Sequence, residues 1–586
     1  MAHRWFESPK SIIFAPLLLA LLFIIACGAS ATAPPPPTSK PAAVPAATQP
    51  SGEAVTSAPV PTAQPAAASP ELIGVAPGGK YGGVLQAYQN TQPEDWDPHP
   101  CGSGNCMSAI SKMYNQLLKR NPLKPDEMIG DLAESWEATE GGNAYIFRIH
   151  DGIQWWDGEP LTAEDVAFSI HRMIDPQARR PRSGFIRNYV EKAEVLAPTT
   201  VKVSLKFPAA AFFSYMGSDY MSIVPKHVVE AGVDINKFDN IVGSGPWKIT
   251  AFRQGSDYEF VKNENYFKEG LPYFDGIKVF IIPDPGRAIA SFLAQQVLIC
   301  GFPYCNFIPE EFEQLEQQGS DVLKVWWEPP SIIGYLNLNV NHKPLDDPRV
   351  RRAIHLAIDR DELLEAGGGG QWTIGSVLHP SFSIGEEEIR QLPGFRKPKD
   401  EDIAEAQRLL AEAGYPGGQG FPPLTAIART SVAFYADAGA IIKQQLKDAL
   451  GIDTITIQVM ESAAGMVAYR EDQWDMSPLL NGLINTDPED ILMQAYTPKA
   501  AWNFSGWTDP KFDELFAKQT AEQDPAKRLE ILRELERYLL TDANDHVVEL
   551  WWQNHAWVVS NQIGGMVAAP PLTNCCMKLE HLWLER

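Results

Sequence analysis

Cys27 is the first residue whose surroundings predict a chemical modification. Basic residues precede an apolar run over 12–25, and Ala26 stands directly before the cysteine. A basic start, an apolar stretch too short to span a bilayer and a small residue before the cleavage point are typical of a secretory signal. Residues 24–27 (IIAC) resemble a bacterial lipobox, so we expect a signal peptide and lipobox over 1–27 and acyl chains on Cys27. The alternative is an ordinary cleaved signal followed by a chance cysteine.

The other cysteines could form disulfides, because an exported protein meets an oxidising compartment. Cys101 and Cys106 enclose four residues, and so do Cys300 and Cys305. A local bridge is easy within each of these pairs. The neighbouring cysteines at 575–576 are too close to bridge readily, since adjacent Cα atoms lie about 3.8 Å apart, so they could pair with Cys300 or Cys305 instead. We predict the Cys101–Cys106 disulfide and leave the other connectivities open.

Motifs for catalysis, metal binding or nucleotide binding are absent from the sequence. It contains no GxSxG elbow, no HExxH helix and no phosphate-binding GxxxxGK[ST] loop. The glycine run over 367–370 follows a helical pattern and indicates a helix end. Structural zinc needs CxxC or Cys/His clusters, which the sequence lacks. We therefore predict no catalytic residue, no metal and no cofactor.

The segment over 28–79 is predicted to be a disordered tether. It is rich in proline, alanine and threonine, and up to Val75 it has no aromatic residue and only Lys40, Glu53 and Glu71 as charged residues. Such a composition cannot bury enough apolar surface to fold. The tether would let a folded body work away from the membrane.

The remaining body of roughly 500 residues is long enough for more than one core. A formal net charge of −24 argues against nucleic acid or anionic lipid as partners. Strand and helix patterns alternate along the chain, which favours an α/β fold. Strands over 144–150 and 154–156, separated by Asp151-Gly152, predict a hairpin. Thr162 is expected to cap one helix, and Asp347 another whose arginines face solvent.

Seven stretches of the body resemble motifs of one known family, both in their residues and in their order along the chain. They are 131–136 (DLAESW), 148–165 (RIHDGIQWWDGEPLTAED), 223–227 (IVPKH), 243–247 (GSGPW), 263–274 (NENYFKEGLPYF), 346–360 (DDPRVRRAIHLAIDR) and 404–415 (AEAQRLLAEAGY). The family is that of the bacterial extracellular solute-binding proteins, family 5, the peptide- and nickel-binding group that serves ABC importers. The resemblance extends over nearly the whole body.

The resemblance implies an α/β fold, a two-lobed periplasmic-binding-protein-like clamp (type II, cluster C) with an extra middle domain. The chain would pass between the lobes near Trp326 and near Asp545, and these hinges would let the clamp close on a solute. The implied bounds are 80–110, 241–325 and 546–586 for lobe I, 111–240 for the inserted domain II, and 326–545 for lobe II.

Tryptophans are the candidates for the walls of the ligand cleft, because rigid aromatic rings bind ligands at small entropic cost. On the family pattern Trp96 lies in a loop that approaches the cleft, and Trp502 and Trp507 flank a family-like stretch over 502–513. Trp372 is a further loop candidate. Most other tryptophans are expected to serve packing alone.

One stretch departs from the family pattern. Peptide-binding members often carry GWxADYPDP, whose first aspartate can pair with a peptide's α-ammonium group. Asp487 and Pro488 match the end of that motif, but Ile484 takes the place of the first aspartate. An apolar residue cannot compensate a buried ammonium group. Recognition of a free peptide N-terminus is therefore in doubt, and Asn485 is expected to offer a neutral hydrogen bond instead.

The function that the resemblance implies is that of a substrate-binding lipoprotein of an ABC importer. It would be a monomer, capture a peptide-like or oligomeric solute, and deliver it to a membrane permease and its ATPase. It would be exported and lie on the outer face of the cytoplasmic membrane or in the periplasm. The competing classes are an extracellular hydrolase or carbohydrate-processing enzyme, marked by paired carboxylates in one cleft, and a chaperone-like binder of unfolded chains.

Overall fold

The computed structural model describes most of the folded body. The described residues are 78–102, 104–178, 180–209, 211–300, 305, 307–328, 330–430, 434–483, 487–498, 500, 502–541, 546–567 and 578–585. The predicted signal peptide, the tether and Cys27 lie outside them. Within these ranges, no helix combines the length and the apolar character that crossing a bilayer requires.

A seven-stranded sheet forms the centre of the first lobe and collects strands from distant parts of the chain. The first strand of the body pairs in parallel with Gly276–Ile281, residue Val84 opposite Gly276. In sheet order the strands are Leu323–Trp327, Ala556–Ser560, Ile299–Cys300, Val84–Gln89, Gly276–Ile281, Asp257–Lys262 and Trp247–Arg253.

A six-stranded sheet forms the centre of the second lobe. The strand Ile332–Leu338 is buried along its whole length, as expected of a central strand covered by helices on both faces. In sheet order the strands are Trp372–Ile374, Val547–Gln553, Ile332–Leu338, Met476–Gly482, Leu424–Arg429 and Ile455–Met460.

A smaller, four-stranded sheet lies in the segment between the first pieces of the seven-stranded sheet. Its strands, in order, are Ala133–Thr139, Ala144–Ile149, Thr200–Leu205 and Val190–Ala197. Two short strand pairs complete the described sheets: Leu118–Asn121 with Lys124–Gly130, and Ile563–Gly564 with Trp583–Leu584.

The hairpin that the sequence predicts after Ala144 is wrong. The strand Ala144–Ile149 pairs instead with Ala133–Thr139 and Thr200–Leu205. The second turn explains the difference, because Trp155 donates its backbone N–H to Glu159 and Gln154 bridges only to Pro160. That local loop uses the backbone groups that the predicted hairpin needs.

Helices cover the sheets, and two of the predicted caps are present. Thr162 and Asp165 form a capping box, and Asp347 accepts a hydrogen bond from the backbone N–H of Arg349. The α-helices are Gly104–Met113, Ala163–Ile174, Phe212–Met216, Lys226–Glu230, Pro285–Leu293, Pro309–Gly319, Pro348–Ala357, Arg360–Gly368, Glu386–Ile389, Asp400–Glu412, Phe434–Leu450, Ser462–Arg470, Glu489–Ala495, Pro510–Ala521 and Pro525–Thr541. The 3-10 helices are Glu140–Gly142, Ser183–Asn188, Asp219–Met221, Phe238–Asn240 and Pro416–Gly418.

The chain passes between the two large sheets twice. It leaves the seven-stranded sheet at Trp327 and enters the six-stranded sheet at Ile332, and it returns between Gln553 and Ala556. The return comes later than the predicted crossing near Asp545, because Val547–Gln553 is still a strand of the second lobe.

Candidate ligand-binding site

One end of the six-stranded sheet gathers the residues that could hold a ligand. Strands Leu424–Arg429 and Met476–Gly482 run parallel, so their carboxyl ends lie at the same edge. Ile332 pairs with both Gly482 and Gln553, which brings the two passages between the lobes to this edge. Open α/β sheets bind ligands outside the carboxyl ends of their strands. We call this edge and its side chains the sheet-end site.

Buried polar atoms without a hydrogen-bond partner among the described residues are concentrated in the sheet-end site. Both amide atoms of Asn481 and the hydroxyl of Tyr335 are of this kind, although both residues are 0% exposed. So are Thr373 Oγ1 and Gln553 Oε1. Most buried polar groups in folded proteins are hydrogen-bonded, so such a group of neutral donors and acceptors indicates a place where a ligand binds.

Strand register places Asn481 and Tyr335 on one face of the sheet. Asn481 pairs with Ile333, and Tyr335 follows two residues later on the same strand. Successive side chains of a strand alternate between faces, so residues two apart share one face. Asn481 and Tyr335 are therefore diagonal neighbours.

An aromatic wall borders the other face of the same edge. Trp372 stacks on Trp551 with ring centroids 4.9 Å apart, and Phe434 packs edge-on against Trp551 at 5.5 Å. A Cβ at Gly334 would lie 2.2 Å from the Trp551 ring, so the glycine lets the indole lie against the strand. The indole N–H groups of both tryptophans have no acceptor within the described chain.

Arg429 ends its strand inside a ring of aromatic side chains. It is 8% exposed, and its guanidinium carbon lies 5.9 Å from the ring centroid of Tyr435, 5.8 Å from that of Tyr469 and 5.9 Å from that of Trp502. Such contacts favour a cation over the ring face. The Leu480 backbone N–H donates to the Tyr435 hydroxyl at 2.7 Å, which fixes that ring against the sheet end.

A second arginine reaches the site from the part of the chain that forms the four-stranded sheet. Arg182 Nη1 donates to the Gly482 carbonyl at 3.3 Å and to Gln494 Oε1 at 2.9 Å. Its Nε donates to the Gly102 carbonyl at 3.4 Å, inside the loop that Cys101 and Cys106 close. Arg182 therefore joins the end of the strand Met476–Gly482 to the loop that Cys101 and Cys106 close.

Two tyrosines extend this contact toward the helix Glu489–Ala495. Tyr189 donates to Glu489 Oε1 at 2.8 Å, and Tyr215 donates to Asp490 Oδ1 at 3.2 Å. Burial raises the pKa of Glu489 to about 7, and the charge of Asp487 acts in the same direction. The positive charge of Arg528, whose Nη2 lies 3.5 Å from Glu489 Oε2, acts to lower the same pKa.

These carboxylates do not form the catalytic pair that the competing enzyme hypothesis requires. Glu489 is 0% exposed, and Thr520 Oγ1 also donates to it at 2.9 Å. The other buried carboxyl whose pKa is raised to about 7, Glu536, accepts backbone N–H groups from Leu378 and Ile384. Both carboxyls are therefore occupied by bonds that hold the fold together.

The structure brings two of the predicted ligand residues to the sheet-end site. Trp372 lies in the aromatic wall, and Trp502 borders Arg429. Trp96 packs between Phe238 and Phe252 in the first core.

Trp507 lies away from the sheet-end site. It stacks on His546 with centroids 4.2 Å apart and is 4% exposed. Asn485, like Ile484, lies outside the described residues.

Sequence reasoning missed Arg429, Asn481, Tyr335 and Arg182. One signal was available for the first three, because each is a polar residue in an otherwise apolar strand that is covered on both faces. The sequence gives no such signal for Arg182, because its contacts with Gly482 and Gln494 depend on how distant parts of the chain pack together.

Both local cysteine pairs are bonded. The Cα atoms are 6.2 Å apart in Cys101–Cys106 and 5.6 Å apart in Cys300–Cys305. The cysteines at 575–576 lie outside the described residues. In the described part of the chain no cluster of three or more histidine, cysteine or acidic residues could hold a metal ion.

A small cavity lies in the first lobe, lined in part by Gln89, Ser108 and Lys112. Its polar lining is internally bonded: Ser108 Oγ donates to Gln89 Oε1 at 2.8 Å, and Lys112 Nζ donates to the Ser108 carbonyl at 2.6 Å. The unpartnered polar atoms of the sheet-end site make it the stronger candidate for a ligand site.

The model of the bacterial extracellular solute-binding proteins, family 5 Middle, matches residues 127–503. The chain belongs to this family. Di/tripeptide-binding protein 2 of Pseudomonas aeruginosa (strain UCBPP-PA14) is 26% identical over 488 residues, which cover 78% of this chain and 87% of that protein. Glutathione-binding protein GsiB of Escherichia coli (strain K12) is 29% identical over 324 residues, covering 55% of this chain and 60% of that protein.

Solved structures confirm the predicted fold class. DppA from Helicobacter pylori in complex with the peptide STSA superposes with a TM-score of 0.72 at 22% identity, covering 86% of this chain and 99% of that chain. Haemophilus influenzae OppA in complex with RPPGFSPFR gives 0.73 at 19% identity, covering 87% and 100%. The protein is thus an α/β, two-lobed solute-binding protein, and its relatives are binding proteins and not enzymes.

Proposed function

We propose that this protein is the substrate-binding lipoprotein of an ABC importer, and that it captures a peptide-like or oligomeric solute at the sheet-end site. The observation that carries the proposal is the group of buried, unpartnered polar atoms beside both passages between the lobes. A ligand held there would contact both lobes and favour their closure. The permease and its ATPase would then recognise the closed form.

The chemistry of the site suits a peptide-like solute. Asn481 offers one donor and one acceptor, the same pair of groups that a peptide unit presents. The stacked indoles of Trp372 and Trp551 supply apolar area on the other face of the same sheet edge. The relatives support the same class, since they include di/tripeptide-binding and glutathione-binding proteins.

The anchor and the domain bounds belong to the same proposal. Cys27 would carry the lipid and 28–79 would separate the body from the membrane, so that a monomer captures solute close to its permease. Lobe I would comprise 80–110, 241–327 and the residues after Gln553, and lobe II would run from 328 to 553. The segment 111–240 would form domain II.

The direct test is capture of solute from a peptide hydrolysate by the purified full-length protein. Mass spectrometry of the retained material should show peptides in at least tenfold excess over a control in which the protein is heat-denatured. Solution scattering of the loaded protein should show a smaller radius of gyration than the empty protein, because the lobes close. Hydrolysis of the offered peptides would favour the enzyme hypothesis instead, and retention of nothing would contradict the proposed function.

A further inference from the structure

The helix Glu489–Ala495 of the second lobe is in contact with the part of the chain that carries the four-stranded sheet. Every residue of this helix is buried. Tyr189 and Tyr215, whose ring centroids are 5.6 Å apart, reach it from the opposite side and donate to Glu489 and Asp490. A movement that opens the clamp must break these two hydrogen bonds.

Arg528 compensates the charge of Asp487 better than that of Glu489. Asp487 accepts two hydrogen bonds from the guanidinium fork, at 2.8 and 2.6 Å, whereas Arg528 Nη2 lies 3.5 Å from Glu489 Oε2. The shorter hydrogen bonds to Glu489 come from two neutral hydroxyls, those of Tyr189 and Thr520, and both reach Oε1. A buried carboxylate with so little compensation is costly, and Oε2 is the oxygen that can take a proton.

The protonation of Glu489 follows from this arrangement. Burial raises the pKa of its carboxyl to about 7, and the negative charge of Asp487 acts in the same direction. The charge of Arg528 and the hydroxyls of Tyr189 and Thr520 act to lower the pKa, but burial has the larger effect. Glu489 therefore changes its charge near neutral pH while the contact is closed.

The other polar groups at this contact have partners of their own. Asp490 accepts from Tyr215 and from Gln494 Nε2, the latter at 2.9 Å. Arg182, the cation on the opposite side, donates to Gln494 Oε1 at the far end of the helix. Burial raises the pKa of both tyrosines, so they stay neutral donors. Glu489 is therefore the group at this contact whose charge changes near neutral pH.

We propose that this contact is a proton-linked latch: the clamp closes more firmly on its solute when Glu489 is protonated, so that capture takes up a proton. When the tyrosines withdraw, water would reach Glu489 and return its pKa toward the ordinary value. A group that binds its proton more tightly in the closed form favours that form as the pH falls. The inference deepens the proposed function and rests on it, since the latch regulates capture at the same clamp.

The test measures retention from a peptide hydrolysate by the full-length protein at about pH 6 and about pH 8. The hydrolysate concentration for half-saturation should be about three- to tenfold lower at the lower pH. The upper limit corresponds to a pKa that moves from 4.5 to about 7 on closure. Retention at neither pH overturns the proposed function and the latch together.

Glu489→Gln assigns the effect to the latch. Glutamine is neutral at every pH, so this variant should lose the dependence and bind at both pH values as the native protein binds at the lower one. Glu388→Gln, at an exposed ion pair with Arg537, is the matched control and should keep the native dependence. Peptide groups that titrate affect native protein and variants alike. An equal dependence in the native protein and Glu489→Gln overturns the latch and leaves the proposed function standing.

Tyr189→Phe covers the case in which Glu489→Gln does not fold. The Tyr189 hydroxyl stabilises the ionised carboxylate more than the neutral carboxyl, because a hydrogen bond to a charged acceptor is stronger. Its loss should therefore weaken retention more at about pH 8 than at about pH 6. Equal weakening at the two values would contradict the latch.

Calorimetry measures the proton directly. A retained peptide without histidine is bound at about pH 6 in two buffers that differ in ionisation enthalpy. The native protein should take up nearly one proton as it binds, and Glu489→Gln should take up none. A merely structural role of Glu489 would change the pH dependence of unfolding without this uptake. The absence of uptake by the native protein, with binding intact, would overturn the latch.

Discussion

At the scale of single residues, some tryptophans lie in the core and others at the sheet-end site, a division that their sequence positions do not reveal. Trp507 is enclosed by Tyr496, Phe512 and His546, whereas Trp502 stands beside the Arg429 guanidinium at the edge of the site. Both flank the same family-like stretch. Only the three-dimensional contacts tell them apart.

Truncation of these two tryptophans should therefore give different results. Trp507→Ala should lower the free energy of unfolding by about 3–5 kcal/mol, the range for a large aromatic residue lost from a core. Trp502→Ala should leave folding closer to native and weaken ligand binding by roughly 1–3 kcal/mol. Urea denaturation and calorimetry with a retained peptide measure the two quantities. The opposite pattern would return Trp507 to the ligand cleft.

Recognition of the amino group gives a second test at this scale. Because Ile484 cannot pair with an ammonium group, a retained peptide and its N-acetylated form should bind with affinities within threefold of each other. Calorimetry on the matched pair decides the matter. A tenfold preference for the free amine, about 1.4 kcal/mol, would show that another acid compensates the charge.

At the scale of elements, the sequence predicts the start of a helix correctly when the signal lies within one turn of it. The helix Pro348–Ala357 begins as expected, because Asp347 and Pro348 are start signals that act within one turn. The prediction that its arginines face solvent is wrong for Arg351, which is 4% exposed and donates to the Leu345 carbonyl. Which polar side chain is buried depends on neighbours far away in the sequence.

The same reasoning explains which parts of the site could be predicted. The Cys101–Cys106 pair, four residues apart, is a local feature and is bonded in the structure. The sheet-end site is not local, since Arg429, Asn481 and Tyr335 come from three different strands and Arg182 from a distant loop. The failed hairpin after Ala144 has the same cause, because strand pairing depends on distant partners.

The helix Glu489–Ala495 should make stability depend on pH. Its Glu489 has a pKa raised from 4.5 to about 7 in the folded arrangement, so the folded state binds an extra proton between these values. The neutral Glu489 carboxyl therefore stabilises the fold fully below about pH 4.5, and this contribution is lost as the pH rises from there through about 7. Asp487 raises the pKa and Arg528 lowers it, so both belong to the same equilibrium.

Urea denaturation at about pH 6 and about pH 8 tests this dependence. Glu489→Gln should reduce the difference in unfolding free energy between the two values, because glutamine does not titrate. Glu388→Gln, at an exposed ion pair with Arg537, is the matched control and should leave the difference unchanged. Since Glu536 also has a raised pKa, only the difference between variants is informative. If Glu489→Gln and the native protein showed the same pH dependence, Glu489 would not be its cause.

At the scale of the whole molecule, the parts have separate tasks. In the proposed closure the two passages between the sheets would act as hinges. The contacts of Arg182 and Tyr189 with the second lobe are polar, so they could form and break with water as a competitor. The family membership accounts for the clamp. The proposed lipid anchor at Cys27 would be independent of the clamp.

The anchor should therefore be separable from binding. Cys27→Ala should move the protein from the membrane fraction to the soluble fraction, since a signal without its cysteine gives no acylated N-terminus. Peptide retention by the released protein should equal that of the native one, because the sheet-end site lies in the folded body and the tether makes no part of it. Uptake by cells should nevertheless fall, since a diffusing binder loses the high local concentration that a tether gives its permease. Fractionation, retention and uptake of a labelled peptide measure the three effects. A native protein that is already soluble, with an unacylated N-terminus, would contradict the anchor while leaving the clamp and the sheet-end site intact.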